Sequence, residues 1–235
     1  MWPSGYGRRV LAQVDSTNAQ AARIAADLAG PEWILALSQN AGRGRRGRVW
    51  VVPEGNFSAS LVMFPSEPPQ VVALRSFVAA LAVYDAAAHF VGPGGLSLKW
   101  PNDVLYHGGK LAGILLERGA QHLAIGIGVN LLHAPEVSEA GAVTPVALGG
   151  DVTPEVFLDV LAQTYAQREQ SFITYGFAPI REAWLMRAAR LGEEIEARLA
   201  HESHRGIFET VDEEGNLVLK TANARMSIAA ADVFF

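Results

Sequence analysis

Apolar and polar positions along this chain follow two periods, and together they predict an alternation of helices and strands. Asp15-Ser16-Thr17-Asn18 supplies several capping oxygens ahead of an alanine-rich segment in which Ile24 and Leu28 lie one helical turn apart. A helix is therefore predicted from there to about Leu28, stopped by Gly30-Pro31. Trp33–Leu37 and Phe57–Phe64 read as strands, separated by a loop over 39–55 with little apolar periodicity. A long helix is predicted over about 70–90, and Gly92-Pro93-Gly94-Gly95 breaks it. Leu96–Trp100, Leu111–Glu117 and His122–Val129 follow as strands, the last two joined closely enough for a hairpin. Val152–Gln170, opened by Thr153-Pro154, and Phe177–Ala189 read as helices.

The tail changes character near Arg190. Short alternating stretches, Gly206–Val211 and Asn216–Lys220, flank the turn Asp212–Gly215, as in a small antiparallel barrel. We therefore expect two domains, 1–190 and 191–235. With 50% of its 235 residues hydrophobic, the chain can bury a full core. Its net charge of −5 argues against a general nucleic-acid partner, because displacing counterions requires a basic field. The absence of cysteine excludes disulfides, thiolate metal sites and cysteine nucleophiles. The N-terminus lacks a signal-peptide pattern, and no apolar run approaches the roughly 18 residues of a membrane span. A cytoplasmic protein without a membrane partner is expected.

Basic character is local. Gln39–Trp50 holds four arginines within Arg43–Arg48, interleaved with Gly42, Gly44 and Gly47. Glycines let backbone amides approach a ligand, and guanidinium groups suit phosphate and carboxylate. The same run in isolation would equally suit a solvated or nucleic-acid-contacting stretch. Trp50 either stacks on a purine or anchors the loop to the core. Lys99-Trp100-Pro101-Asn102-Asp103 precedes Gly108-Gly109-Lys110, which is no P-loop because Leu111 stands where Ser or Thr is needed. Two lysines around Asn102 and Asp103 suit phosphates, a carboxylate and Mg²⁺, or else mark a surface turn. Gly126-Ile127-Gly128-Val129-Asn130 weakens a strand interior, which makes sense where something approaches the backbone; Asn130 reads a base edge or is a plain turn residue. No hydrolase or zinc motif is present, and the six histidines lack ligand spacing. An anion loop, paired lysines and a glycine-relieved strand together suit one nucleotide and one carboxylate, the reactants of an adenylation.

In order and spacing, Ser16-Thr17-Asn18, Gln39–Trp50, Lys99–Asp103, Lys110–Leu115 with Glu117, and Gly126–Asn130 resemble the biotin–protein ligases over about residues 14–131. The resemblance implies an α+β fold. Its mixed sheet is flanked by helices, as in class II aminoacyl-tRNA synthetases, and a small SH3-like C-terminal domain follows. It implies ATP-dependent biotinylation of a lysine on a biotin carboxyl carrier domain through biotinyl-5′-AMP, with ATP and Mg²⁺ as co-substrate and activator. For biotin it implies Ser16, Thr17, Asn18 and Gln39 at the ureido end, Gly42, Arg43, Gly44 and Arg45 in a closing loop, and Gly113, Leu115 and Gly128 along the wall. For ATP it implies Arg45, Arg46, Arg48, Trp50, Lys99, Asn102 and Asn130. Lys110 would serve both the biotin carboxylate and the α-phosphate. Lys110, Arg45 and Asp103 are the implied catalytic residues, Asp103 orienting the attacking amine and being the one candidate for Mg²⁺. Fifteen residues precede Ser16, so the helix-turn-helix of the repressor members, and with it DNA binding, is not expected. A side-by-side homodimer is carried over as an expectation. The rival readings are a lipoate ligase or octanoyl transferase, which lacks the Arg-Gly loop, and a non-catalytic phosphate-binding module or DNA regulator.

Overall fold

The computed structural model describes residues 1–136, 143–199 and 201–234. Twelve strands and five α-helices form two sheets with a helical layer among the described residues. The first sheet contains β1 (Gly7–Leu11), β2 (Glu32–Ala36), β3 (Phe57–Met63), β4 (Leu96–Lys99), β5 (Asp103–Tyr106), β6 (Gly109–Arg118) and β7 (Leu123–Val129), in the order β1-β2-β3-β7-β6-β5-β4. Only β1 and β2 run parallel, so the sheet is mixed. That pair needs a crossover, which α1 (Thr17–Ile24) supplies.

The two faces of this sheet carry different residues because strand side chains alternate. Odd positions of β3 and β7 (Phe57, Ala59, Leu61; Leu123, Ile125, Ile127, Val129) join the main core. Against that core pack α3 (Arg75–Val91), α4 (Pro154–Tyr175) and α5 (Phe177–Leu185). Even positions are mostly small: Ser58 and Ser60 on β3, Ala124, Gly126 and Gly128 on β7, with Val62 the exception at the outer end. Paired across the sheet, they make two rows, Ser58–Gly128–Gly113 and Ser60–Gly126–Leu115. This small-residue floor lies under α1 and the arginine-glycine loop. At its outer end a minor core of Ala21, Ala25, Ile34, Val62 and Ala124 seats α1.

Several elements differ from the sequence reading. The strands β1 and β5 were not foreseen: β1 is too exposed to alternate clearly, and β5 is only four residues after Pro101-Asn102. The first helix ends at Ile24, and a single 3₁₀ turn, Ala25–Asp27, carries the chain on. The last helix stops at Leu185, because Ala188 and Ala189 instead meet the edge strand at Leu98. The apolar stretch 69–91, comprising α2 (Pro69–Ala73) and α3, is after all long and apolar enough to cross a membrane. However, 67% of its most apolar window is buried inside the protein, which is what a core helix requires.

The second sheet comprises β8 (Glu194–Arg198), β9 (Ser203–Val211), β10 (Leu217–Lys220), β11 (Arg225–Ile228) and β12 (Asp232–Phe234), antiparallel throughout, in the order β11-β10-β9-β8-β12. It docks on the helical layer: Trp100 Nε1 donates to Gly215 O at 3.0 Å, Arg181 grips Thr210 and Val211, and Trp184 meets Phe208 edge-on. Docked there, it turns β12 toward the arginine-glycine loop.

Candidate active site

A cleft of about 840 Å³ opens over the small-residue floor, walled by the start of α1, the arginine-glycine loop, the Lys99–Asp103 turn and β12. Six cations line it (Arg43, Arg45, Arg48, Lys99, Lys110, Arg198) against three acids, Asp103, Glu136 and Asp232. In a chain of net charge −5 this is a local concentration of positive field, suited to an anionic ligand.

One end is neutral and fully organised. Ser16 caps α1 by accepting from Ala19 N, while Thr17 N donates to Gln39 Oε1 at 2.8 Å. That bond fixes the Gln39 amide, whose Nε2 then lies against Gly42 of the loop with its protons still to give. Ser60 Oγ lies 2.8 Å from Thr17 Oγ1 and 2.6 Å from Asn18 Oδ1, and Asn18 Nδ2 donates to Glu117 Oε2 at 2.8 Å. Gly126 is needed here, since a Cβ would run into the Asn18 amide.

The loop folds back on itself. Gly44 N donates to Arg48 O at 2.7 Å and Trp50 N to Gly42 O at 2.9 Å, around a 3₁₀ turn at Arg45–Gly47 in which Arg46 takes φ 57°. Gly42 is squeezed between Gln39 and the Trp50 carbonyl, where a Cβ has no room. The indole of Trp50 lies against Gly128 and Gly113, so both glycines make space for an aromatic ring. Lys110 Nζ sits 5.6 Å from the centre of that ring and 2.8 Å from Asp103 Oδ1. Arg45 reaches toward Asn102 Oδ1 and Ala231 O, and Arg46 and Arg48 both end on Asp232 Oδ2, at 2.6 and 2.7 Å. Burial pushes the Arg45 guanidinium below its usual range, with Asp232 and Asp103 opposing the shift. Lys99 is likewise lowered by burial, and Asp103 opposes that.

Of the residues singled out from the sequence, Ser16, Thr17, Asn18, Gln39, Arg43, Gly44, Arg45, Arg48, Trp50, Lys99, Asn102, Asp103, Lys110, Gly113, Leu115 and Gly128 line this one cleft. Three do not. Gly42 shapes the loop from behind, and Arg46 points to Asp232. Asn130 is 2% exposed and donates to Lys110 O at 3.2 Å, while its buried Oδ1 has no partner among the described residues. Sequence reasoning missed Ser58, Ser60 and Asp232. Two serines in an apolar strand were the available signal for the first two; Asp232 had none, because its approach depends on how the second sheet docks. The Asp103 carboxylate is already paired with Lys110, and no group of three acids or histidines converges among the described residues. The residues therefore do not fit a resident metal.

The family description "Biotin/lipoate A/B protein ligase family" matches residues 10–130, and "Biotin protein ligase C terminal domain" matches 191–235. The chain is 52% identical to a biotin–[acetyl-CoA-carboxylase] ligase of Paracoccus denitrificans, over 96% of this chain and 99% of that one. It is 31% identical to the bifunctional ligase/repressor BirA of Bacillus subtilis, over 85% of this chain and 65% of that protein. Its fold superposes on the biotin protein ligase from Aquifex aeolicus in complex with biotin and ATP with a TM-score of 0.84, at 25% identity and 97% coverage of each chain.

Proposed function

The chain belongs to the biotin/lipoate A/B protein ligase family, and from that premise we propose that it biotinylates a carrier-domain lysine at the expense of ATP. In the first half-reaction a carboxylate oxygen of biotin attacks the α-phosphorus of ATP, and pyrophosphate leaves with the bond to its bridging oxygen. In the second, the carrier's lysine amine attacks the acyl carbon of biotinyl-AMP. AMP departs and the amine loses a proton. Neither step needs a protein nucleophile, only neutralised charge and in-line geometry.

The observation that carries this reading is the division of one cleft into a neutral donor–acceptor end and a cationic end. A cyclic urea presents N–H beside C=O, and the Thr17 hydroxyl and the Gln39 amide, both lining this end, are the kinds of acceptor and donor that match it. The carboxylate of the same ligand would then reach Lys110, where ATP phosphates meet Arg48 and Lys99. Trp50 suits the adenine face, and the Oδ1 of Asn130, unpartnered among the described residues, suits its amino edge once the loop rearranges. Asp103, beside Lys110, is the acid placed to orient the incoming amine. Magnesium enters as the counter-ion of ATP. We further propose a cytoplasmic enzyme, with homodimerisation through the sheet as the assembly its exposed edge strand β1 permits.

A lipoate substrate would leave Thr17 and Gln39 facing an apolar dithiolane ring, a cost of unpaired polar groups that a binding site avoids. Incubating the protein with ATP and either acid, and following pyrophosphate, tests this. Pyrophosphate with biotin, then label transfer to a carrier domain, is the expected result; turnover with lipoate alone would refute it. Arg45→Ala removes the contacts to Asn102 and Ala231 that tie the loop across the cleft. Release of biotinyl-AMP, followed by trapping with excess unlabelled biotin, should quicken about tenfold or more, the equivalent of roughly 1.4 kcal/mol of retention. Unchanged release would mean that the loop is no lid.

A further inference from the structure

A proton count over the hydrogen-bonded network beneath α1, buried at Thr17, Asn18 and Ser60 and reaching the part-exposed Glu117, assigns work to a residue that touches no ligand. Glu117 carboxylate can only accept, so Asn18 must turn its Nδ2 toward it, as the 2.8 Å bond requires. Asn18 Oδ1 then faces Ser60 at 2.6 Å and carries no proton, so the single Ser60 proton goes to it. The remaining 2.8 Å contact, Ser60 to Thr17, can be closed only by the Thr17 proton. With its proton turned inward, Thr17 Oγ1 has nothing but lone pairs left for the cleft. Ser60 is fully buried and lines no part of the cleft, and Thr17 and Asn18 are 5% and 6% exposed, so water does not reshuffle these protons. The other oxygen of Glu117 meets Arg43 of the loop at 3.5 Å, which ties the same chain to the cleft's covering segment.

We propose that Ser60, backed by Asn18 and Glu117, is a positioning residue that holds Thr17 as a hydrogen-bond acceptor and so selects a ligand presenting N–H at that point. This rests on the cyclic-urea reading of the neutral end. Without Ser60 the Thr17 hydroxyl is free to rotate and can turn its proton toward the ligand's own N–H. The effect belongs to binding of the acid substrate and not to phosphate chemistry.

The test is a double-mutant cycle on the full chain, with biotin affinity read by titration calorimetry and ATP KM and kcat by pyrophosphate release. S60A should weaken biotin binding about tenfold, leaving the ATP KM and kcat at saturating biotin within twofold. T17V should weaken it at least as much, and S60A/T17V no more than T17V alone, because Ser60 acts through Thr17. Unchanged biotin affinity in S60A, or a double variant whose loss is the product of the two single losses, would overturn the proposal. Should S60A fail to fold, E117Q takes its place in the cycle. Its amide can meet Asn18 with either oxygen or nitrogen, so the proton order is no longer imposed, and a biotin-only loss of about threefold, absent in the T17V background, is expected. A loss shared by ATP would overturn it. A wild-type protein that makes no pyrophosphate with biotin refutes instead the functional reading, before any variant is compared.

Discussion

Replacing Lys110 by Ala should leave a folded protein in which adenylate formation is slower by about 10³-fold, the effect of deleting one preorganised group at developing charge. Lys110 lies on β6 between the two ends of the cleft, its ammonium 2.8 Å from Asp103 and over the Trp50 ring. From there it meets the carboxylate as it bonds to phosphorus and the oxygens that gain charge. Its backbone is held independently: Lys110 N donates to Thr144 O, and its carbonyl accepts from Val146 N and Asn130 Nδ2. Truncating the side chain removes one partly exposed ion pair, worth about 1 kcal/mol or less of stability. Lys110→Arg should not rescue the rate, since a planar fork cannot replace a point charge beside Asp103. Single-turnover pyrophosphate release and thermal unfolding decide the matter together: near-normal turnover, or loss of the fold, would remove Lys110 from the reaction.

The cleft was legible in the sequence wherever a motif lies within a few residues of itself. Gln39–Trp50 and Lys99–Asp103 could be seen as loops because glycine and proline stop the apolar periodicity on either side. Gly126 and Gly128 could be read as sites of close approach, and what approaches is Asn18 and Trp50. The odd–even contrast of Phe57–Met63 carried more than was taken from it. Apolar odd positions against serines at 58 and 60 already mark a core face and a ligand face, yet the segment reads as one apolar run. Contacts between distant segments were beyond reach. Asp232 meets Arg46 and Arg48 across more than 180 residues of chain, a juxtaposition made by the docking of the second sheet and not by any local pattern. The ends of the helices were misplaced for a related reason: Ala188 is helix-forming by type, but Leu98 on the edge strand competes for its backbone.

The largest loss of stability should come from a position remote from the cleft, Glu169→Ala, at about 3–5 kcal/mol. Glu169 on α4 and Arg75 on α3 are each 2% exposed and pair at 2.8 Å, with Glu67 as a second acid on the guanidinium at 2.7 Å and Tyr165 donating to the other Glu169 oxygen. Burial raises the Glu169 carboxyl above its usual range while Arg75 opposes that shift; at Arg75 burial is outweighed by the two glutamates, which raise the guanidinium, so the cation depends on its acids. Removing Glu169 leaves a buried guanidinium with only the half-exposed Glu67 for charge, and opens a gap in the layer that supports the sheet. At 2–4 °C per kcal/mol for a chain of this size, the unfolding midpoint should fall by roughly 10 °C. Replacing both partners by apolar residues of similar volume, Arg75→Met with Glu169→Leu, should recover most of that loss, because no charge is then stranded. The pair faces the helical layer and the ligands face the opposite side of the sheet, so kcat of Glu169→Ala well below its midpoint should stay within twofold of wild type. A midpoint that moves by only a degree or two would mean that water reaches Arg75 and that the α3–α4 interface is held by its apolar contacts alone.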